Sequence, residues 1–191
     1  MGLWIFGGRG GGKTARVPTE VETGFATDHV RFTAAMTAKN LFSLAGFLLA
    51  SFSAGAIGSQ FGPGDWFAAL NKPSWNPPGW LFGPVWSLLY TLMGVAAWRV
   101  WRVGGFSGAR VAMGMFAFQL VLNAAWSWLF FGLHRMDLAF VEIIVLWFAI
   151  LATAIAFRRI DRPAAWMLVP YLAWVAFATV LNGTFWRLNA G

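Results

Sequence analysis

The sequence has no cysteine, which excludes disulfide staples, thiolate metal sites and thiol nucleophiles and leaves the redox compartment unread. Charge is scarce as well: Asp, Glu, Lys and Arg make up 11% of residues, against about 25% in soluble domains. The two histidines, His29 and His134, stand apart and form no ligand cluster with carboxylates, so a metal site is not expected. No Ser/His/Asp arrangement or carboxylate pair stands in the apolar stretches, and hydrolytic or acid–base catalysis has no visible apparatus. No cofactor is implied. Tyrosine is rare, 2 residues against 13 tryptophans, although membrane-interface belts use both. What is present is hydrophobic, 59% of the chain, and that composition points to a protein dissolved in lipid.

A bilayer core about 30 Å thick takes about 20 apolar residues per helix. The chain supplies five such runs, 41–61, 80–101, 111–133, 138–157 and 164–186. They predict an all-α membrane protein, a five-transmembrane-helix bundle occupying residues 39–191. Punctuation lies between the runs: Gly-Pro-Gly at 62–64, three prolines between Lys72 and Gly79, Gly104/Gly105/Gly108, Arg135 to Asp137, and Arg158 to Pro163. Short connections make neighbouring helices antiparallel, and the long one, 62–79, is expected to lie over the bundle as a lid. Pro84 falls in the first turn or so of its span, where a missing N–H matters little, whereas Pro170 lies inside the fifth and should bend it.

Arg9, Lys13, Arg16, Arg31, Lys39, Arg99, Arg102, Arg110, Arg158, Arg159 and Arg162 fall on the side of the N-terminus; Lys72, Arg135 and Arg187 fall on the other. The positive-inside rule then places the N-terminus in the cytoplasm and favours a bacterial inner membrane. The net charge of +7 reads as membrane-flanking cations near an anionic leaflet, not as a nucleic-acid surface.

Residues 1–38 read as a flexible Gly-rich extension, with Met36 as an alternative start. Within it, Gly7-Gly-Arg-Gly-Gly-Gly12-Lys13-Thr14 matches the phosphate-cradling loop letter for letter. Its context fails: Leu3 to Phe6 cannot stand as a sheet, Pro18 interrupts a following helix, and the rest is membrane.

Trp98, Trp101 and Trp166 fall at one set of span ends and Trp66, Trp75, Trp80 and Trp186 at or beyond the other, so interfacial anchoring is sufficient for them. Trp86, Trp126, Trp128 and Trp174 instead gather in or near the outer half, and Trp147 sits mid-span. Helical faces support a cavity there: Trp86, Tyr90, Met93 and Ala97; Gln119, Asn123, Trp126 and Phe130; Trp174, Ala178 and Leu181. Tight helix packing with hydrogen-bonding Gln and Asn accounts for the same spacing equally well. Gly46, Ala50, Ala54 and Gly58 form a small-residue stripe open to dimerisation or to packing within the protomer. Glu142, one turn into the fourth span, is the clear intramembrane acid, a functional candidate that is also near enough to the interface to be hydrated.

Three stretches carry a resemblance: Asn71-Lys-Pro-Ser-Trp-Asn-Pro-Pro-Gly-Trp80 with Gly83-Pro-Val-Trp86, Gln119-Leu-Val-Leu-Asn123-Ala-Ala-Trp126 with Phe130-Phe-Gly132, and Pro170-Tyr-Leu-Ala-Trp174-Val-Ala-Phe-Ala-Thr179-Val-Leu-Asn182. They resemble the tryptophan-rich sensory protein, or translocator protein, family, also called peripheral-type benzodiazepine receptors, over about residues 40–188. The resemblance implies a homodimeric five-helix bundle binding porphyrins such as protoporphyrin IX, haem-related tetrapyrroles, sterols in animals and benzodiazepine-type compounds. Carried onto this chain, the ligand site is Phe67, Pro77, Phe82, Trp86, Tyr90, Asn123, Trp126, Trp174, Ala178 and Leu181. Light-dependent porphyrin degradation, if it occurs, is implied at Trp86 and Trp174. The animal sterol pattern is incomplete, because Leu181 and Arg187 match but Gly183 replaces its tyrosine. A transporter is disfavoured by the lack of an inverted repeat or paired broken helices. Family analogy also admits an outer membrane.

Overall fold

The computed structural model describes residues 19–190, with side chains from 37 onward. The phosphate-loop look-alike at 7–14 lies outside the described residues, as do the side chains of His29 and Met36. Helix α1 is Thr19–Gly58, α2 is Asp65–Ala69, α3 is Phe82–Ser127, α4 is Met136–Arg158, α5 is Arg162–Met167 and α6 is Val169–Asn189. A short 3-10 turn, Gly79–Leu81, leads into α3, and a π turn, Trp128–Gly132, ends it. Contacts divide the chain into Met1–Asn40 and Leu41–Gly191, and the second unit holds everything that follows.

Among the described residues, four stretches are long and apolar enough to cross a membrane, Thr37–Gly58, Gly79–Gly132, Met136–Arg158 and Arg162–Asn189. The second, 54 residues, is more than twice what a bilayer needs, since 20 helical residues already reach about 30 Å. It is two spans joined at Gly105, whose φ of 61° and ψ of −165° leave the helical region. Side chains pair symmetrically about that point, Tyr90 with Asn123 and Met93 with Gln119, so the limbs of α3 run antiparallel as a hairpin. Five membrane spans result. The connection expected across 102–110 is therefore helical on both sides of a single glycine, because a positive φ at one residue reverses the chain without a loop.

The other proline and glycine expectations resolve in the same local terms. Pro84 is the third residue of α3. Pro170 does more than bend its span: it lies in the first turn of α6, which restarts after Leu168 as a helix separate from α5. Of the small-residue stripe, Ala54 and Gly58 are buried while Gly46 and Ala50 are exposed. The inward face of α1 is Ser51, Ala54 and Gly58, and a Cβ on Gly58 would stand 3.0 Å from the Ser127 hydroxyl of α3.

α4 and α6 run antiparallel, tied by Trp147 Nε1 donating to the Leu172 carbonyl at 3.2 Å and Asn182 Nδ2 to the Met136 carbonyl at 3.0 Å. At the Gly105 end, Arg99 grips Asp161 with two hydrogen bonds of 2.7 and 3.3 Å, fastening α3 to the α4–α5 turn. Outward faces are apolar: Val121, Phe148 and Val180 are each about 60% or more exposed, as lipid solvent allows.

Candidate functional site: an aromatic cavity beneath the lid

Away from Gly105, the spans part around a cavity of about 810 Å³. Residues 62–79 close over it. Within this lid α2 is held by rings: Trp66 stacks on His134 with centroids 4.1 Å apart, and Phe67 packs edge-on to Phe131 at 5.5 Å. Asn189 at the end of α6 clasps the Asn71 backbone from both sides, accepting its N–H at 2.9 Å and donating to its carbonyl at 3.0 Å. Lys72 Nζ donates to the carbonyls of Ala68 and Leu70, which α2 leaves open at its C-terminus.

All ten expected ligand residues lie on this cavity's wall: Phe67 and Pro77 from the lid, Phe82, Trp86 and Tyr90 from the first limb of α3, Asn123 and Trp126 from the second, and Trp174, Ala178 and Leu181 from α6. The indoles are set by aromatic contacts. Trp86 stacks on Tyr90 at 5.3 Å, Phe82 meets Trp174 edge-on at 5.8 Å, and Trp126 lies over Phe130 at 5.0 Å.

Several of the wall's polar groups are bonded to neighbouring side chains. The Tyr90 hydroxyl donates to Asn123 Oδ1 at 2.8 Å, and Asn123 Nδ2 donates to the Tyr171 hydroxyl at 2.9 Å, joining both limbs of α3 to α6. Trp126 Nε1 donates to Asn182 Oδ1 at 3.0 Å. Among the described residues no acceptor takes the indole N–H of Trp86 or Trp174. These two donors remain for whatever enters.

Trp128, expected alongside Trp86 and Trp126, does not line the cavity; it is 45% exposed, because residues two apart on a helix do not share a face and Trp126 takes the inward one. Trp147 is committed to Leu172 and is also absent from the wall. Sequence reasoning missed the contribution of α1, namely Phe52, Gly55 and Ala56, and that of α4, namely Ile143 and Leu146. Asn182 and Phe185 extend the spacing of Trp174, Ala178 and Leu181, so that face was readable further than it was read. Glu142 is not on the wall; both its carboxylate oxygens are buried without a hydrogen-bond partner. Gly183 lies in a separate shallow groove with Phe140, Thr179 and Arg187, where a Cβ would come within 2.9 Å of the Phe140 ring.

A multi-pass helical membrane protein with a neutral, indole-lined cavity under one loop is the class these features define. Residues 43–187 match the TspO/MBR family, and the chain belongs to that family. It is 44% identical over 151 residues to a protein named translocator protein from Ovis aries, covering 76% of this chain and 89% of that one. A tryptophan-rich protein TspO from Chlorobaculum tepidum is 43% identical over 155 residues, 79% of this chain and 98% of the relative. A tryptophan-rich sensory protein from Cereibacter sphaeroides is 41% identical over 143 residues, 75% and 89% of the two chains.

Proposed function

We propose that the protein is a membrane receptor or sensor that binds porphyrins, protoporphyrin IX and haem-related tetrapyrroles, in the cavity, and so influences tetrapyrrole handling or stress signalling. The observation that carries this reading is the pairing of an 810 Å³ volume, within the roughly 300–1,000 Å³ of small-molecule pockets, with Trp86, Trp126 and Trp174 on one wall. A tetrapyrrole is a broad π system; indole faces and edges pack on it, and the free N–H groups of Trp86 and Trp174 add orientation. Benzodiazepine-type compounds share the flat apolar body. The protein works as a homodimer, with its N-terminus in the cytoplasm and the lid on the opposite side.

Titrating protoporphyrin IX into the protein in nanodiscs should quench tryptophan emission, less so in Trp86→Phe and Trp174→Phe. Trp128→Phe, whose ring faces outward, should bind as the parent does. Unchanged emission of the parent at saturating porphyrin overturns the proposal.

The same two indoles favour a second reading, light-dependent porphyrin degradation, because a half-buried tryptophan against a photoexcited ring is an electron donor. Illumination should then remove the porphyrin absorption band in the parent and not in the Trp86→Phe/Trp174→Phe double variant. Equal bleaching by micelles with free tryptophan removes the catalytic claim.

A further inference from the structure

Among the described residues, the cavity wall contains no charged side chain. Its amides and Tyr90 are already hydrogen-bonded within the protein. A ligand carrying carboxylates therefore finds no counter-ion inside, and an unpaired carboxylate in an apolar cavity is costly. Such a group has to emerge at the rim, where the nearest available cation decides whether the acid or a neutral analogue binds better.

Three basic side chains stand at the lid end. Arg135 is committed to Asp137 through two hydrogen bonds of 2.8 and 2.6 Å; those bonds hold its guanidinium pKa above the usual value, and the pair stays ionised. Arg187 belongs to the groove beside Phe140 and Gly183. Lys72 has no carboxylate partner among the described residues. Its Nζ is instead held 5.1 Å from the ring centroid of Phe67, and Phe67 is part of the cavity wall. Two carbonyls, Ala68 at 2.8 Å and Leu70 at 3.2 Å, fix the ammonium there and take two of its three protons. The preceding residue is pinned by the Asn189 clasp, so the cation is placed before any ligand arrives.

We infer that Lys72 is the specificity-determining residue of the cavity's rim: its ammonium pairs with a carboxylate projecting from a ligand whose flat apolar body fills the space below. The inference rests on the porphyrin reading and names the part of the ligand that this chain recognises by charge. It also separates the work of the lid. Phe67 and Pro77 cover the apolar body, while Lys72 meets the acidic edge.

Affinities of protoporphyrin IX and of its dimethyl ester, measured by quenching in neutral-lipid nanodiscs, test it. The parent should favour the diacid. Lys72→Gln should lower diacid affinity on the order of two- to fivefold, the range of an exposed ion pair, and leave ester affinity as it was. Lys72→Arg should restore the diacid, and raised salt should narrow the gap between the two ligands. Retained ester binding shows that the variant is folded. Equal diacid binding by the parent and Lys72→Gln, with both ligands bound, overturns this inference and leaves the porphyrin reading standing. Failure of the parent to bind either compound overturns both.

Discussion

Asn123 spends one side-chain amide on two tyrosines, accepting from Tyr90 and donating to Tyr171. An interhelical hydrogen bond in a membrane protein is worth only about 0.6 kcal/mol on average. Leaving a buried polar group without a partner costs about 1–3 kcal/mol, so the penalty for breaking the relay outweighs the gain from making it. Asn123→Leu orphans two hydroxyls and Tyr90→Phe only one amide oxygen. Denaturant unfolding in detergent should therefore show Asn123→Leu as the more destabilised, by about 2 kcal/mol against the parent. Equal stability of Asn123→Leu and the parent would show that the relay contributes nothing. Asn123 was legible because Gln119, Asn123, Trp126 and Phe130 share a helical face. Gly55 was not: a Cβ there would run into the Tyr90 ring, yet in the sequence it sits beside an equally plausible stripe of small residues at 46, 50, 54 and 58. Spacing identifies a face. It does not say which neighbour needs the missing side chain.

At the scale of elements, the same limit applies to the hairpin inside α3. Three glycines, Gly104, Gly105 and Gly108, marked the connection as a loop, but Gly105 alone leaves the helix. Its φ of 61° with ψ of −165° is a combination open essentially to glycine, and nothing stands within 4 Å of where a Cβ would be. Any effect of Gly105→Ala is therefore backbone strain, about 1–3 kcal/mol. Gly108 has the same open surroundings without a positive φ, so Gly108→Ala should be neutral or gain roughly 0.5–1 kcal/mol from helix entropy. Thermal melts of the two variants should diverge in sign; a shared outcome would mean that the turn does not depend on Gly105. The five spans were readable from hydrophobic runs because each must satisfy its own backbone in lipid. The turn geometry was not, since one dihedral pair decides it. His134 shows the same dependence: its φ of 56° directs the chain into α4 while its ring stacks on Trp66, and neither follows from its place in the sequence.

For the molecule as a whole, lipid replaces water as the solvent for most of the surface, and ion pairs have a small part. Among the described residues only Arg99–Asp161 and Arg135–Asp137 form them, one at each end of the bundle. The remaining basic side chains, concentrated at the Gly105 end, act through the membrane's own field. By the positive-inside rule we propose that the lid lies on the face away from the cytoplasm, the side from which Lys72 would then meet an anionic ligand. The lack of native cysteine makes the assignment directly testable, because one introduced thiol is then the only one in the chain. Gly64 in the lid is exposed, with nothing within 4 Å of a built Cβ, and Ser107 beside the α3 reversal is exposed as well. In right-side-out membrane vesicles, an impermeant maleimide should label Gly64→Cys at once and Ser107→Cys only after the vesicles are opened. The reverse pattern would invert the bundle, move the cavity mouth to the cytoplasm, and make the porphyrin that reaches Lys72 one supplied from inside the cell.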